Sequence, residues 1–130
     1  MNSLSQIAPN RIIPVLAVEV MQYGEPLREA LKTGGFRSAE VTLRNPLAIE
    51  IIKIMSEDAN FIVGAGTVTT PVQVEEVVEA GARFVVSPGL STSVISRCRE
   101  LSIPIFPGVC TPSEIMHALD RAVRAKIFSC

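Results

Sequence analysis

Phe36-Arg37-Ser38-Ala39-Glu40-Val41-Thr42-Leu43-Arg44 is the stretch that decides how the chain is read. Side chains alternate across a strand, so Ser38, Glu40, Thr42 and Arg44 face one way and Ala39, Val41 and Leu43 the other. Strands of a parallel sheet packed under helices are normally apolar on both faces. A carboxylate and a guanidinium on one enclosed face are costly unless they are paired or bind something. That polar face is the candidate active site.

Short apolar runs recur on either side of it, at 12–18, 61–65, 83–87, 103–106 and 126–128. Each is short enough for a strand, and the intervening segments have helical character. Residues 46–55 place Leu47, Ile51 and Ile54 on one helix face, and 112–123 do the same with Ile115, Leu119 and Val123. Asn45-Pro46, Thr70-Pro71 and Thr111-Pro112 each set a cap residue before a proline at the first helical position. Thr70 with Gln73 and Thr111 with Glu114 fit capping boxes. Gly34-Gly35 and Gly81 fall where helices should end.

Alternating strands and helices imply parallel pairing through right-handed crossovers. An open doubly wound sheet and a (β/α)8 barrel both satisfy this. Length favours the open sheet, because a barrel ordinarily takes about 200–250 residues, and the chain has 130. The polar face of 38–44 favours the barrel, whose inward-facing groups at strand C-termini line the site. Gly64-Ala65-Gly66-Thr67 ends the third strand and Ser87-Pro88-Gly89 the fourth, and Pro107-Gly108-Val109-Cys110-Thr111 follows the fifth, all on that functional side. Small residues there permit close approach of backbone and ligand; a tight turn is the plainer reading of Gly64–Thr67.

Taken together, Ile13-Pro14-Val15, Ala39-Glu40-Val41-Thr42-Leu43-Arg44, Val63-Gly64-Ala65-Gly66-Thr67-Val68, Val86-Ser87-Pro88-Gly89 and Ile105-Phe106-Pro107-Gly108 resemble the pyruvate-dependent class I aldolases that cleave 2-keto-3-deoxy-6-phosphogluconate. The resemblance implies a lyase of carbohydrate metabolism, of the Entner-Doudoroff type, releasing pyruvate and glyceraldehyde 3-phosphate, with 4-hydroxy-2-oxoglutarate as a second substrate. It implies Glu40 as general acid/base, Arg44 and Thr67 as binders of the pyruvate moiety, and Lys126 as the Schiff-base lysine. Lys126-Ile127-Phe128-Ser129-Cys130 matches the family's lysine run with Ser129 in place of proline. No metal and no organic cofactor is required. The partner implied is a small keto acid, and the assembly a homo-oligomer, trimeric by resemblance.

The fold implied is a TIM-type α/β barrel truncated after about the sixth strand, with residues 1–130 forming one partial barrel domain. On that reading the Gly-rich loops that hold the substrate phosphate are missing, strand edges are open, and the isolated chain is expected to associate and to have little activity. A catalytically inactive remnant and a phosphate-binding module of the open-sheet kind are the competing readings. For Glu40 and Arg44 the alternative is a structural ion pair; for Lys126 a solvated lysine, with Lys32 or Lys53 as other candidates; for Thr67 a turn residue. His117 reads as a surface or packing residue.

Composition excludes other classes. Hydrophobic residues make up 48% and the net charge is -1, which gives no electrostatic case for nucleic acid or a membrane surface. No apolar run approaches the roughly 20 residues of a transmembrane helix. The start shows no secretory signal. Cys98, Cys110 and Cys130 lack metal-ligand spacing and are expected as reduced thiols in a cytoplasmic protein.

Overall fold

The computed structural model describes residues 4–121 and the strand pairing of Lys126–Ile127. Six parallel strands are laid down in sequence order: β1 (Val15–Leu16), β2 (Ser38–Thr42), β3 (Ile62–Gly66), β4 (Phe84–Ser87), β5 (Ile105–Val109) and β6 (Lys126–Ile127). A doubly wound sheet would reverse its order midway; no reversal occurs here, which removes the open-sheet alternative. A short helix α1 (Leu4–Ile7) precedes β1, and a 3₁₀ turn (Met21–Tyr23) leads into α2 (Gly24–Thr33). The remaining crossovers are α3 (Ala48–Ser56), α4 (Pro71–Glu79), α5 (Thr92–Glu100) and α6 (Pro112–Asp120).

Helix starts follow local chemistry. Thr70 and Gln73 form the full capping box at α4. At α6 the Thr111 hydroxyl accepts from the Glu114 N–H, but the Glu114 carboxylate reaches one residue further back and accepts from the Cys110 N–H at 2.8 Å. At α3 the regular turns begin at Ala48 with Leu47 preceding them, and Asn45 caps the turn that leads in, its Oδ1 accepting from the Leu47 N–H at 2.9 Å.

One helix-to-strand joint occurs three times. The Phe36 N–H donates to the Leu31 carbonyl, Ala82 to Val77, and Ile103 to Cys98, each at 2.9 Å. The joint needs a residue of positive φ. Gly35 (φ 90°) and Gly81 (φ 108°) supply it twice, and Ser102 (φ 55°) supplies it the third time.

Two apolar layers result. Outward-facing Ala39, Val41, Val63, Ala65, Val85 and Ile105 pack beneath the helices against Ile51, Ile52, Met55, Val74, Val77, Val94 and Ile95. A smaller cluster, Ile7, Phe84 and Val86 with Ile13, Ile62 and Phe106 packed on it, fills the inner side. Ile62, Phe84 and Phe106 stand at or near the starts of their strands, and fully buried Ile7 brings α1 against them. Phe84 and Phe106 meet edge-to-face with ring centroids 6.1 Å apart, a favourable aromatic geometry.

Candidate active site

β2 is buried along its whole length, and Ser38, Glu40 and Thr42 are the buried polar residues it contributes. The register pairs Glu40 with Gly64 and Thr42 with Gly66 on β3. Glu40, only 6% exposed, does not stand over its own partner. Its carboxylate leans toward the strand's C-terminal end and lies on Gly66, where a Cβ would come within 1.9 Å of Oε1. The space over Gly64 is taken by the Phe84 ring, which would meet a Cβ there at 2.1 Å. Two glycines two residues apart on one strand face therefore admit two large neighbours, an aromatic ring below and a carboxylate above.

Gly64 and Gly66 close the third strand as the sequence suggested, and the alternative turn reading fails for both. Both lie inside β3, and neither has a positive φ. The period-two spacing of small residues within a strand was the available signal.

Thr67 follows at the strand end in the left-handed region, with φ 60°. For a β-branched residue this is a conformational outlier. Hydrogen bonds on both sides hold it: the Leu43 N–H donates to the Gly66 carbonyl at 2.9 Å, and the Val68 N–H to the Val86 carbonyl at 3.2 Å.

Arg44 lies past the end of β2, in the bend before α3, and is exposed. Strand alternation does not extend to it, so its placement comes from the loop. That loop is tied down by its neighbour. Asn45 Nδ2 donates to the Val18 carbonyl at 3.1 Å, and Asn45 Oδ1 accepts from the Leu47 N–H at 2.9 Å. Thr42 adds a hydroxyl bond to the Leu16 carbonyl at 3.2 Å. On β4, buried Ser87 donates to the Gly89 carbonyl at 2.8 Å and fixes the turn that follows. The sequence marks Asn45 as a cap and Ser87 as part of a strand-end motif, but not their bonds to the Val18 and Gly89 carbonyls, which no motif announces.

The sequence holds three lysines. Lys32 on α2 is hydrogen-bonded to Asp58 and sits 3.7 Å from Glu29. Lys53 on α3 is bonded to Glu50 at 2.8 Å. The Asp58 hydrogen bond raises the Lys32 pKa above its ordinary value, and the Glu50 hydrogen bond does the same for Lys53. Both amines are held as ammonium ions on covering helices, the opposite of what a nucleophilic lysine needs. Lys126 is paired in register with Gly108 on β5. The Lys126 side chain, together with Phe128, Ser129 and Cys130, lies outside the described residues.

Burial pushes the Cys98 thiol up to about 12, which leaves it a packing residue rather than a nucleophile. Cys110 is disulfide-bonded, which corrects the expectation that all three thiols are reduced. His117 is exposed on α6. Among the described residues no cluster of His, Cys, Asp or Glu is arranged to hold a metal ion. Also among them, no helix is long and apolar enough to cross a membrane.

Comparison with known proteins places this geometry. The family model "Aldolase: KDPG and KHG aldolase" matches residues 4–130. The 2-dehydro-3-deoxy-phosphogluconate aldolase of Dickeya dadantii is 40% identical over 114 residues, covering 87% of this chain and 54% of that protein. The crystal structure of the 2-keto-3-deoxy-6-phospho-gluconate aldolase from Zymomonas mobilis is 38% identical and superposes with a TM-score of 0.86, covering 92% of this chain and 58% of that one. A KDPG aldolase from Legionella pneumophila, solved with pyruvate captured at low pH as a covalent carbinolamine intermediate, is 39% identical with a TM-score of 0.84, covering 90% and 57%. The chain spans about half the length of the curated relatives it matches. With the family model matched from Leu4 onward and its strands superposing on solved aldolases, the chain belongs to the KDPG and KHG aldolase family.

Proposed function

We propose that residues 1–130 carry the Schiff-base half of a class I aldolase barrel that cleaves 2-keto-3-deoxy-6-phosphogluconate to pyruvate and glyceraldehyde 3-phosphate. The observation that carries this reading is the buried Glu40 carboxylate, turned toward the C-terminal mouth over Gly66. Burying an ionisable group is costly, and strand C-termini are where barrel enzymes work.

The steps follow from the groups. The Lys126 amine adds to the C2 ketone of the keto acid, giving a carbinolamine that loses water to an iminium. Glu40 takes the proton of the C4 hydroxyl. The C3–C4 electron pair moves into the iminium, the aldehyde departs, and an enamine remains. Glu40 returns its proton to C3, and water hydrolyses the resulting pyruvyl iminium to pyruvate and free amine. Arg44 pairs with the substrate carboxylate, whose geometry suits a guanidinium. Thr67, beside Gly66 at the mouth, offers its hydroxyl to the pyruvate moiety. Lys126 is supported by the ion pairing of the other two lysines. No metal or organic cofactor enters these steps.

4-Hydroxy-2-oxoglutarate fits the same sequence with glyoxylate as the departing aldehyde. We place the protein in the cytoplasm as a homo-oligomer, trimeric by its family resemblance.

A retro-aldol assay that follows pyruvate release from both keto acids tests the reading. Release from at least one, abolished in Glu40→Gln, supports it. Release from neither, or release unchanged in Glu40→Gln, contradicts it.

A further inference from the structure

We propose that Gly66 is a positioning residue for the Glu40 carboxylate, and that its missing side chain sets where the acid/base group stands. The proposal rests on the aldolase reading above.

Glycine is ordinarily required where φ is positive. The glycines of positive φ here are Gly35 and Gly81. Gly66 is a strand residue with a backbone that alanine also adopts, so conformation does not explain it. Space does. A Cβ at position 66 would stand 1.9 Å from Glu40 Oε1, 2.7 Å from Cδ and 2.9 Å from Cγ. Register explains why the carboxylate is there. Glu40 is paired with Gly64, and the Phe84 ring occupies the room over Gly64. With that direction filled, the carboxylate leans up the sheet and rests on the next inward-facing position, which is Gly66. Gly64 makes room for the wall and Gly66 makes room for the acid.

Gly66→Ala should therefore displace the carboxylate rather than break the fold. The group it strikes is the far end of a flexible side chain. Catalytic groups work only near their productive position, and a misplacement of about 1 Å can cost about 100-fold in rate.

Two readouts separate positioning from general damage. Borohydride trapping of pyruvate reports imine formation at the lysine. Exchange of pyruvate methyl protons with heavy water reports proton transfer by Glu40. Gly66→Ala is expected to keep trapping and to lose exchange about 100-fold. Adding Glu40→Gln to it should cost little more, because the displaced carboxylate is already out of play. Gly64→Ala, which strikes the rigid Phe84 ring, should instead lower the unfolding midpoint and reduce both readouts together.

Unchanged exchange in Gly66→Ala, or losses from Gly66→Ala and Glu40→Gln that multiply in the double variant, would overturn the proposal. If Gly66→Ala does not fold, Gly66→Ala with Glu40→Asp decides, since the shorter side chain retracts the clashing atoms. Restored folding supports the proposal, and no restoration overturns it. If the unaltered chain neither traps pyruvate nor exchanges its protons, the aldolase reading itself fails and the proposal falls with it. If Glu40→Gln loses exchange while Gly66→Ala does not, the proposal alone fails.

Discussion

The Asn45 side chain joins two strand ends, donating from Nδ2 to the Val18 carbonyl at 3.1 Å while its Oδ1 accepts from Leu47. Arg44 is the residue immediately before this clamp. Removing the side chain leaves the partly enclosed Val18 carbonyl and Leu47 N–H to find water. Asn45→Ala is expected to cost about 1–2 kcal/mol of stability, from the usual worth of two hydrogen bonds. It should also raise KM for the keto acid more than it lowers kcat, because Arg44 loses its seat. Denaturant unfolding and steady-state kinetics on one preparation check both. Asn45→Asp keeps the Leu47 bond and loses the Val18 donor, so its effect should lie between.

Thr67 carries a second separable effect. Its φ of 60° stores strain of order 1–3 kcal/mol for a non-glycine residue. Thr67→Gly should raise the unfolding free energy by about 1 kcal/mol and lower kcat/KM, because the hydroxyl is lost. A variant that gains stability and keeps full activity would mean that Thr67 only turns the chain.

How far the fold could be read from the sequence depends on which forces are local. Caps and joints were legible at Thr70, Thr111, Gly35 and Gly81, because each is set by residues within a few positions of itself. The polar face of β2 was legible through strand alternation at Ser38, Glu40 and Thr42 but not at Arg44, which lies past the strand end; sequential strand order was read from that face together with the even spacing of strands and helices. Ser102 was not legible, because a serine at positive φ gives no compositional warning. Asn45 was legible as a cap, and its Oδ1 does accept from Leu47; its second bond was not, since the Val18 carbonyl lies in the segment after β1, far along the chain. The dual role of Gly64 and Gly66 was hidden for the same reason: what they accommodate, Phe84 and Glu40, comes from neighbouring strands. α1 was missed because four residues carry too little periodicity, although Ile7 ends fully buried.

The Lys32–Asp58 pair ties the last turn of α2 to the segment after α3. Its pH dependence has a definite sign. The Lys32 hydrogen bond, and then the Asn60 N–H, hold the Asp58 pKa below its ordinary 3.8. A depressed carboxyl contributes stability above its unfolded pKa and loses it as pH falls through the folded value. Lys32 is raised above 10.5, so its contribution is full below that pH and is lost as pH rises through the folded value. The pair therefore stabilises between about pH 4 and 10.5. Asp58→Asn should lower the thermal midpoint at pH 7, with the gap from the unaltered chain closing below about pH 3.8. A gap that stays constant into acid would remove the ion pair from the explanation.

Lys126 as the imine-forming residue is the central claim, and borohydride reduction in the presence of pyruvate tests it most directly. Digestion and mass spectrometry of the reduced chain should find one N-carboxyethyl group, on the peptide containing Lys126 and on neither Lys32 nor Lys53. Lys126→Ala should carry none. Label on Lys32 or Lys53, label that survives Lys126→Ala, or no label on the unaltered chain would contradict the assignment.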